Sequence, residues 1–516
     1  MALGLSSALN SLHRYMHHPT IIPLSSRRLA AGWLFLISRT AAAAGFCLSP
    51  QPPSTKFISS AAFANSPPSQ HHMHNYRAAF KSYNKMSTSR SSSNSNTAAA
   101  VMIELPTKKW ADVFTLQNPN YNPQNLFPPL SSSSHKGSHG RIAILGGSNK
   151  YTGAPYYAAQ AALNCGVDLA TVFCAEEAAI PIKCYSPELM VQGVYSIGQF
   201  DALLEEEEAL LTELERYKHK NDLITVDNYN DCDDTTNTIS LDKLILEHDD
   251  SRNELIQNEV LKNVDDTKKI EDIVNKLQKV QQLQESLQEL QDRQMEIINR
   301  SVKDVVSMFP ALHALCVGPG LGRHPLVFKV VQQVLKQGMQ SNLTLILDAD
   351  VLFMLSLEEY RDLYEELLQY EGCIMTPNVM ERKRLPPPSS SGENDNNNIT
   401  VEKGHVDVVS RGNFVMQCAE EGGLKRSGGI GDVLAGTISA YMAWHAILER
   451  GDEGNDEQGL RQQRAFAVWT ACCTVKLATK VAFMNKRRAM SSRDVLDEIC
   501  GVIAHMEDDI ERSASH

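Results

Sequence analysis

The sequence predicts an α/β protein: a central, mostly parallel sheet between helical layers, interrupted by an acidic helical insertion. Three observations predict it. From residue 141 onward, short apolar runs end in glycine or aspartate and pass into helix-compatible stretches, as buried parallel strands do when they alternate with crossover helices. The stretch 201–300 breaks that alternation with 26 acidic and 12 basic residues and neither glycine nor proline. Composition supplies the core, since 42% of the 516 residues are apolar and 21% charged.

In order, Arg141-Ile-Ala-Ile-Leu145 reads as the first strand, 155–167 as an alanine-rich helix, and 168–174 as the second strand. Further strands are expected at 312–317, 343–347, 373–376 and 399–401, a helix at 325–338, and mostly helix from 428 to 506. Within the insertion, Ile270, Ile273, Leu277, Val280, Leu287 and Leu290 recur mostly at three- and four-residue steps. The sequence therefore predicts a long amphipathic helix or short coiled coil over 266–300, either a solvated excursion or a partner-binding arm.

Charge is segregated. Residues 1–103 carry nine Lys and Arg and no acid, and the remainder carries 40 basic against 61 acidic residues, which argues against a phosphate-backbone binder. The acid-free, Ser-, Ala- and Arg-rich leader has the composition of an organelle transit peptide, mitochondrial in the first instance, with a plastid or cytoplasmic destination as the alternatives. The longest apolar run, 29–37, is far short of the roughly 20 residues of a spanning helix. Neither nucleic acid nor membrane is expected as a partner. Eleven cysteines without a C-x-x-C read as reduced thiols, and His71, His72 and His74 in the leader as an incidental cluster. The expected organisation is a leader (1–103), a first domain segment (104–198), the insertion (199–307), the remainder of the domain (308–510) and a short tail (511–516).

The strongest local chemical signal is Gly428-Gly429-Ile430-Gly431-Asp432, opening an apolar helical stretch. Glycines there leave the first amides of the helix open to an anion, which the helix dipole also favours. Asp432, in the first turn, is placed to take a proton from a hydroxyl that attacks a phosphoryl group. A capping aspartate among packing glycines is the alternative, and Lys425 and Arg426 upstream favour phosphate. No Walker motif occurs, and Gly318-Pro-Gly320-Leu-Gly322 lacks the Rossmann spacing. Asn378 and Glu381 would share one face of a helical turn, where they could hold a hydrated magnesium ion or simply cap the helix. Asp348 and Asp350 end a strand at the edge where open α/β sheets bind ligands, or are solvated strand ends.

Six motifs then occur in one order: Gly146-Gly147-Ser-x-x-Tyr151-Thr-Gly153-Ala-Pro155, Tyr185-Ser-Pro187-Glu188, Gly318-Pro-Gly320-Leu-Gly322, Asp348-Ala-Asp350, Thr376-Pro-Asn378-x-x-Glu381 and Gly428-Gly-x-Gly431-Asp432. In this the chain resembles the ATP-dependent (S)-NAD(P)H-hydrate dehydratases, a ribokinase-like family, over about half its length. The resemblance implies a three-layer ribokinase-like fold and repair of NADHX and NADPHX to NADH and NADPH, with ATP as cosubstrate and Mg2+ as cofactor. It implies Asp432 as catalytic base and hydrate contacts from Gly320, Asn378, Val379, Met380, Glu381, Arg382, Lys383, Arg384 and Asp432. ATP contacts are implied for Lys403, Gly404, His405, Val406 and Asp407, and for Gly422, Gly423, Leu424, Lys425, Arg426, Ser427, Gly428, Gly429, Ile430 and Gly431. A separate epimerase chain would interconvert the hydrate epimers, and a homo-oligomer is compatible with the sequence.

The chain departs from the family pattern in three places. Val351 replaces a glycine, which predicts a local backbone change because a β-branched residue tolerates positive φ poorly. Arg382 replaces an aromatic, and the low-complexity stretch 386–398 replaces a crossover helix. Two other readings are a small-molecule alcohol kinase using the same aspartate, and a scaffold built on a decayed enzyme.

Overall fold

A computed structural model describes residues 107–115, 122–220, 223–226, 237–240, 267–388, 396–450 and 457–515. The leader with its histidines, and most of the 386–398 stretch, lie outside the described residues. The strands are β1 (Thr107–Lys108), β2 (Arg141–Leu145), β3 (Leu169–Ala175), β4 (Met190–Tyr195), β5 (Leu223–Val226), β6 (Asn237–Ser240), β7 (Ala314–Val317), β8 (Thr344–Leu347), β9 (Cys373–Met375), β10 (Ile399–Glu402), β11 (Asp407–Arg411) and β12 (Phe414–Cys418). Ten of them form one sheet in the order β1-β12-β11-β10-β9-β8-β7-β2-β3-β4. Only the β10/β11 and β11/β12 junctions are antiparallel; β5 and β6 pair apart from this sheet.

β2 falls on the expected residues and is buried over its last four positions, with Ile144 and Leu145 fully enclosed. β7 and β8 are equally apolar, as strands covered on both faces must be. The helices are α1 (Gly153–Cys165), α2 (Glu176–Tyr185), α3 (Ile197–Lys220), α4 (Thr267–Val306), α5 (Pro325–Gln340), α6 (Asp350–Met354), α7 (Arg361–Gln369), α8 (Val379–Arg384), α9 (Ile430–Glu449), α10 (Glu457–Lys486) and α11 (Ser492–Ala514). α1 and α9 pack so closely that a side chain on Gly436 would begin 1.9 Å from the Ala158 carbonyl oxygen. The stretch Gly459–Ala489 is long and apolar enough to cross a membrane, but 83% of its apolar window is buried inside the protein.

The acidic segment is a helical pair at both its ends. Ile197, Phe200 and Leu203 of α3, and Ile298, Val302 and Val305 of α4, are buried with the main core, so those ends belong to the fold. Farther out the pair is held by Arg293–Glu206 (2.6 Å), Lys279–Glu213 (3.1 Å) and the Gln294–Glu207 hydrogen bond (2.9 Å). The 40-residue α4 extends past the expected end at residue 300.

Between the parallel strands β9 and β10 the described residues hold one short helix, α8, and residues 389–395 lie outside the description. Val351 lies in α6 with no positive φ; the unusual backbone sits two residues earlier, at Ala349 (φ 54°). The local change expected at 351 is therefore not at that residue.

Candidate active site

The site is built at the carboxyl ends of the central strands, where successive loops stack on one another. The Gly147 amide donates to the Pro319 carbonyl (3.0 Å), joining the loops after β2 and β7. Gly318, with φ 120°, brings its backbone against the end of β8: a side chain there would start 1.8 Å from the Asp348 carbonyl oxygen. Only glycine satisfies both the left-handed backbone and the contact. Gly320 lies against Tyr151 of the loop after β2 and Ala154 at the start of α1.

Asp348, 1% exposed, then projects from β8 into a buried cluster. Its Oδ1 accepts from the Thr376 hydroxyl (2.7 Å), which follows β9, and from the Lys403 ammonium (2.5 Å), which follows β10. Lys403 lies 3.9 Å from Glu381. Burial alone would depress the lysine, but Asp348 and Glu381, with Asp432 behind them, raise its pKa above the ordinary value. Burial pushes the Glu381 carboxyl up, Lys403 and the Asn378 amide oppose this, and Asp348 reinforces it. Asp350 accepts from the Gly322 amide (3.0 Å) and pairs with Arg323 (3.4 Å).

Asn378 and Glu381 form a complete capping box on α8. Asn378 Oδ1 accepts from the Met380 (2.9 Å) and Glu381 (3.0 Å) amides, and Glu381 Oε2 accepts from the Asn378 amide (2.8 Å). This realises the capping alternative that the spacing left open. Asn378 Oδ1 is thereby committed, and one Glu381 oxygen remains for a water-mediated contact. Among the described residues no cluster of three or more His, Cys, Asp or Glu side chains is placed to hold a metal.

Opposite these strand ends stands the start of α9. Gly429 (φ 96°) is its N-cap, no side chain caps the helix, and the backbone around Gly428 is open, with nothing within 4 Å of where a side chain would be. The turn is fixed from outside: Ser492 Oγ donates to the Gly428 carbonyl (2.5 Å), Ser427 Oγ to the Met490 carbonyl (2.9 Å), and Tyr157 packs against Gly429. The uncapped first-turn amides make an anion-binding end. Asp432 sits there, partly buried. Burial first, then Asp348, lifts its pKa from 3.8 to about 7, against the pull of Lys403 and of its own amide, with Asp350 adding to the rise. A carboxylate poised near neutrality beside open amides is equipped to take a proton where a phosphoryl group is held.

The 403–407 segment is a rigid turn between β10 and β11. Asp407 Oδ1 accepts from the Gly404 amide (2.8 Å), and Lys476 of α10 donates to the Gly404 and His405 carbonyls (2.9 Å each) and lies 3.4 Å from Asp407. Asp407 is buried and committed to this turn, while His405 is exposed. The 422–427 stretch runs along α10 and the turn that follows it: the Gly423 amide donates to Thr479 Oγ1 (3.1 Å) and Lys425 to the Arg488 carbonyl (2.7 Å), with Leu424 and Arg426 exposed. Val379 and Met380 are 60% and 58% exposed, Lys383 and Arg384 face solvent, and Arg382 pairs with Glu402 (3.2 Å). Structure thus brings Asp348, Glu381, Lys403 and Asp432 into one cluster. Lys476, Tyr157 and Ser492, which hold these turns, carry no motif.

The chain is an α/β protein with a mostly parallel sheet whose central strand ends present carboxylates to an uncapped helix start. The family model described as NAD(P)H-hydrate dehydratase matches residues 142–218 and 271–500, and the chain belongs to that family. Its relatives include the ATP-dependent (S)-NAD(P)H-hydrate dehydratases of Pongo abelii, 28% identical over 73% of this chain and 85% of that protein, and of Entamoeba histolytica, 29% identical over 73% and 91%. A ribokinase-like superfamily protein from Enterococcus faecalis V583 aligns with 76% of this chain and 98% of its own at 15% identity and a TM-score of 0.43.

Proposed function

We propose that this chain spends ATP to dehydrate the (6S) hydrates of NADH and NADPH, restoring the dihydronicotinamide. The observation that carries the reading is Asp432, a base held up to about 7 at the uncapped start of α9. Asp432 takes the proton of the ring hydroxyl as its oxygen attacks the terminal phosphoryl group of ATP. ADP leaves, and the amides of residues 428–431 stabilise the charge in transfer. The ring nitrogen's lone pair then expels phosphate, a better leaving group than hydroxide, and the adjacent ring carbon gives up a proton to complete the double bond.

The donor set fits a magnesium ion borne on the triphosphate rather than one caged by protein, because Glu381 has one uncommitted oxygen and Asn378 Oδ1 is spent on its cap. Glu381 would hold such an ion through its waters, with Asn378 fixing the Glu381 orientation through the cap, and the ion would neutralise phosphate charge. The 403–407 turn and the 422–431 stretch line the nucleotide side, and Gly320 with residues 378–384 the hydrate side. Epimerisation of the (6R) hydrate falls to a separate chain, and the acid-free leader points to a mitochondrial destination.

The test is recovery of dihydronicotinamide absorbance from purified hydrate with Mg-ATP, wild type against Asp432→Asn. ATP-dependent recovery lost in the variant supports the reading. A stable phosphoester product would make the protein an alcohol kinase instead.

A further inference from the structure

Lys403 entered as one residue of a nucleotide-binding segment, but its side chain lies deeper, among the carboxylates. Its ammonium is 2.5 Å from Asp348 Oδ1, 3.9 Å from Glu381 Oε2 and 3.6 Å from the position a Cβ on Gly431 would take, one residue before Asp432. It therefore bridges the end of β8, the cap of α8 and the first turn of α9. The groups with the largest fields at Asp432 are Asp348 at the end of β8, Lys403 at the end of β10 and Asp350 at the start of α6, and the Cys316 thiol of β7 feels Asp432 in turn. Asp350 is paired with Arg323, and the Cys316 thiol is held neutral by burial and by the two aspartates. Asp348 is enclosed, with the Thr376 hydroxyl and Lys403 on one oxygen.

Two carboxylates sharing a poorly solvated site do not both stay ionised unless a cation stands between them. We infer that Lys403 is a positioning residue for the reaction: anchored on Asp348, its ammonium keeps Asp432 in the proton-accepting carboxylate form. The inference rests on the reading of Asp432 as the base. It assigns opposite signs to two neighbours. Lys403 pulls Asp432 toward ionisation and Asp348 pushes it toward the acid, and the balance leaves it near neutrality. A lysine that served only to grip the triphosphate would not need to be buried against Asp348.

The experiment is the pH dependence of kcat/KM for the hydrate at saturating Mg-ATP, between about pH 6 and 9.5, in wild type, Lys403→Met, Lys403→Arg, Asp348→Asn and Asp432→Asn. An opposite charge within about 4–6 Å moves a carboxyl by about one to three pH units, so Lys403→Met should carry the acid limb upward by up to that amount. Activity at pH 7 then falls about 5- to 500-fold and returns as pH is raised. Lys403→Arg should restore the wild-type limb, and Asp348→Asn should move it downward. An unmoved limb in Lys403→Met, with the defect confined to the KM for ATP, overturns the inference. If Lys403→Met fails to fold, Lys403→Gln takes its place, and a limb that stays in place is again fatal. Should Asp432→Asn keep wild-type turnover, the reading of Asp432 as base falls as well. If Asp432→Asn is dead while the limbs stay fixed, this inference falls alone.

Discussion

Replacing Asp432 with asparagine should disable the protein and stabilise it at once. Asparagine keeps the size and the first-turn position of the side chain but can neither ionise nor accept a proton. Loss of a general base removes about 10²- to 10⁴-fold in rate. The stability effect follows from the same environment. The carboxyl's pKa is lifted from 3.8 to about 7 in the folded protein, so between those values the folded state binds a proton that the unfolded chain has released. Stability contributed by this group therefore falls as pH rises through that window. At about 1.4 kcal/mol per pH unit, the full penalty above pH 7 is about 4 kcal/mol, an upper bound because Asp432 is only partly buried and the cleft mouth is solvated. The assay is urea unfolding of wild type and Asp432→Asn at about pH 4, 6 and 8, beside turnover at pH 8. Asp432→Asn should match wild type near pH 4 and exceed it progressively toward pH 8. A stability difference independent of pH, or one that grows toward acid, would refute the claim that burial and Asp348 set this base.

Three further outcomes follow from the geometry. Gly436→Ala places a methyl 1.9 Å from the Ala158 carbonyl oxygen, so α1 and α9 must separate; overpacking of this kind costs about 1–3 kcal/mol and should lower the thermal midpoint. Asn378→Ala removes both acceptances in the α8 cap, at a cost of about 1 kcal/mol, and frees Glu381 from its fixed orientation; turnover should drop more than stability does. Lys476→Met strips the Gly404 and His405 carbonyls of their donor and leaves Asp407 buried without its cation, which should raise the KM for ATP more than it lowers kcat.

The central sheet was legible wherever strands are buried on both faces. β2 is an unbroken apolar run with glycines behind it, and Arg141–Leu145 is where the sequence predicts it. The antiparallel pair β11 (Asp407–Arg411) and β12 (Phe414–Cys418) was not foreseen, because its alternating burial yields no apolar run and it lies toward the edge of the sheet. In the acidic segment, helical spacing announced α4, but nothing in the pattern separates the outer turns from Ile298, Val302 and Val305, which pack on the core. Within the site, Asp432 was marked by its glycines. Lys403 was visible as a residue but not as a partner of Asp348, since that contact depends on β8 and β10 standing on either side of β9, a fact of topology rather than of local sequence. The Asn378–Glu381 spacing was compatible with a cap or an ion, and the structure shows the cap.

The most direct test follows the oxygen. A hydrate carrying 18O in its ring hydroxyl is turned over with unlabelled ATP in unlabelled water, and the inorganic phosphate is analysed by mass spectrometry. Attack of that hydroxyl on the phosphoryl group predicts one 18O in each phosphate released, with one ADP and one dihydronicotinamide per turnover. Label recovered in water, with phosphate unlabelled, would contradict it.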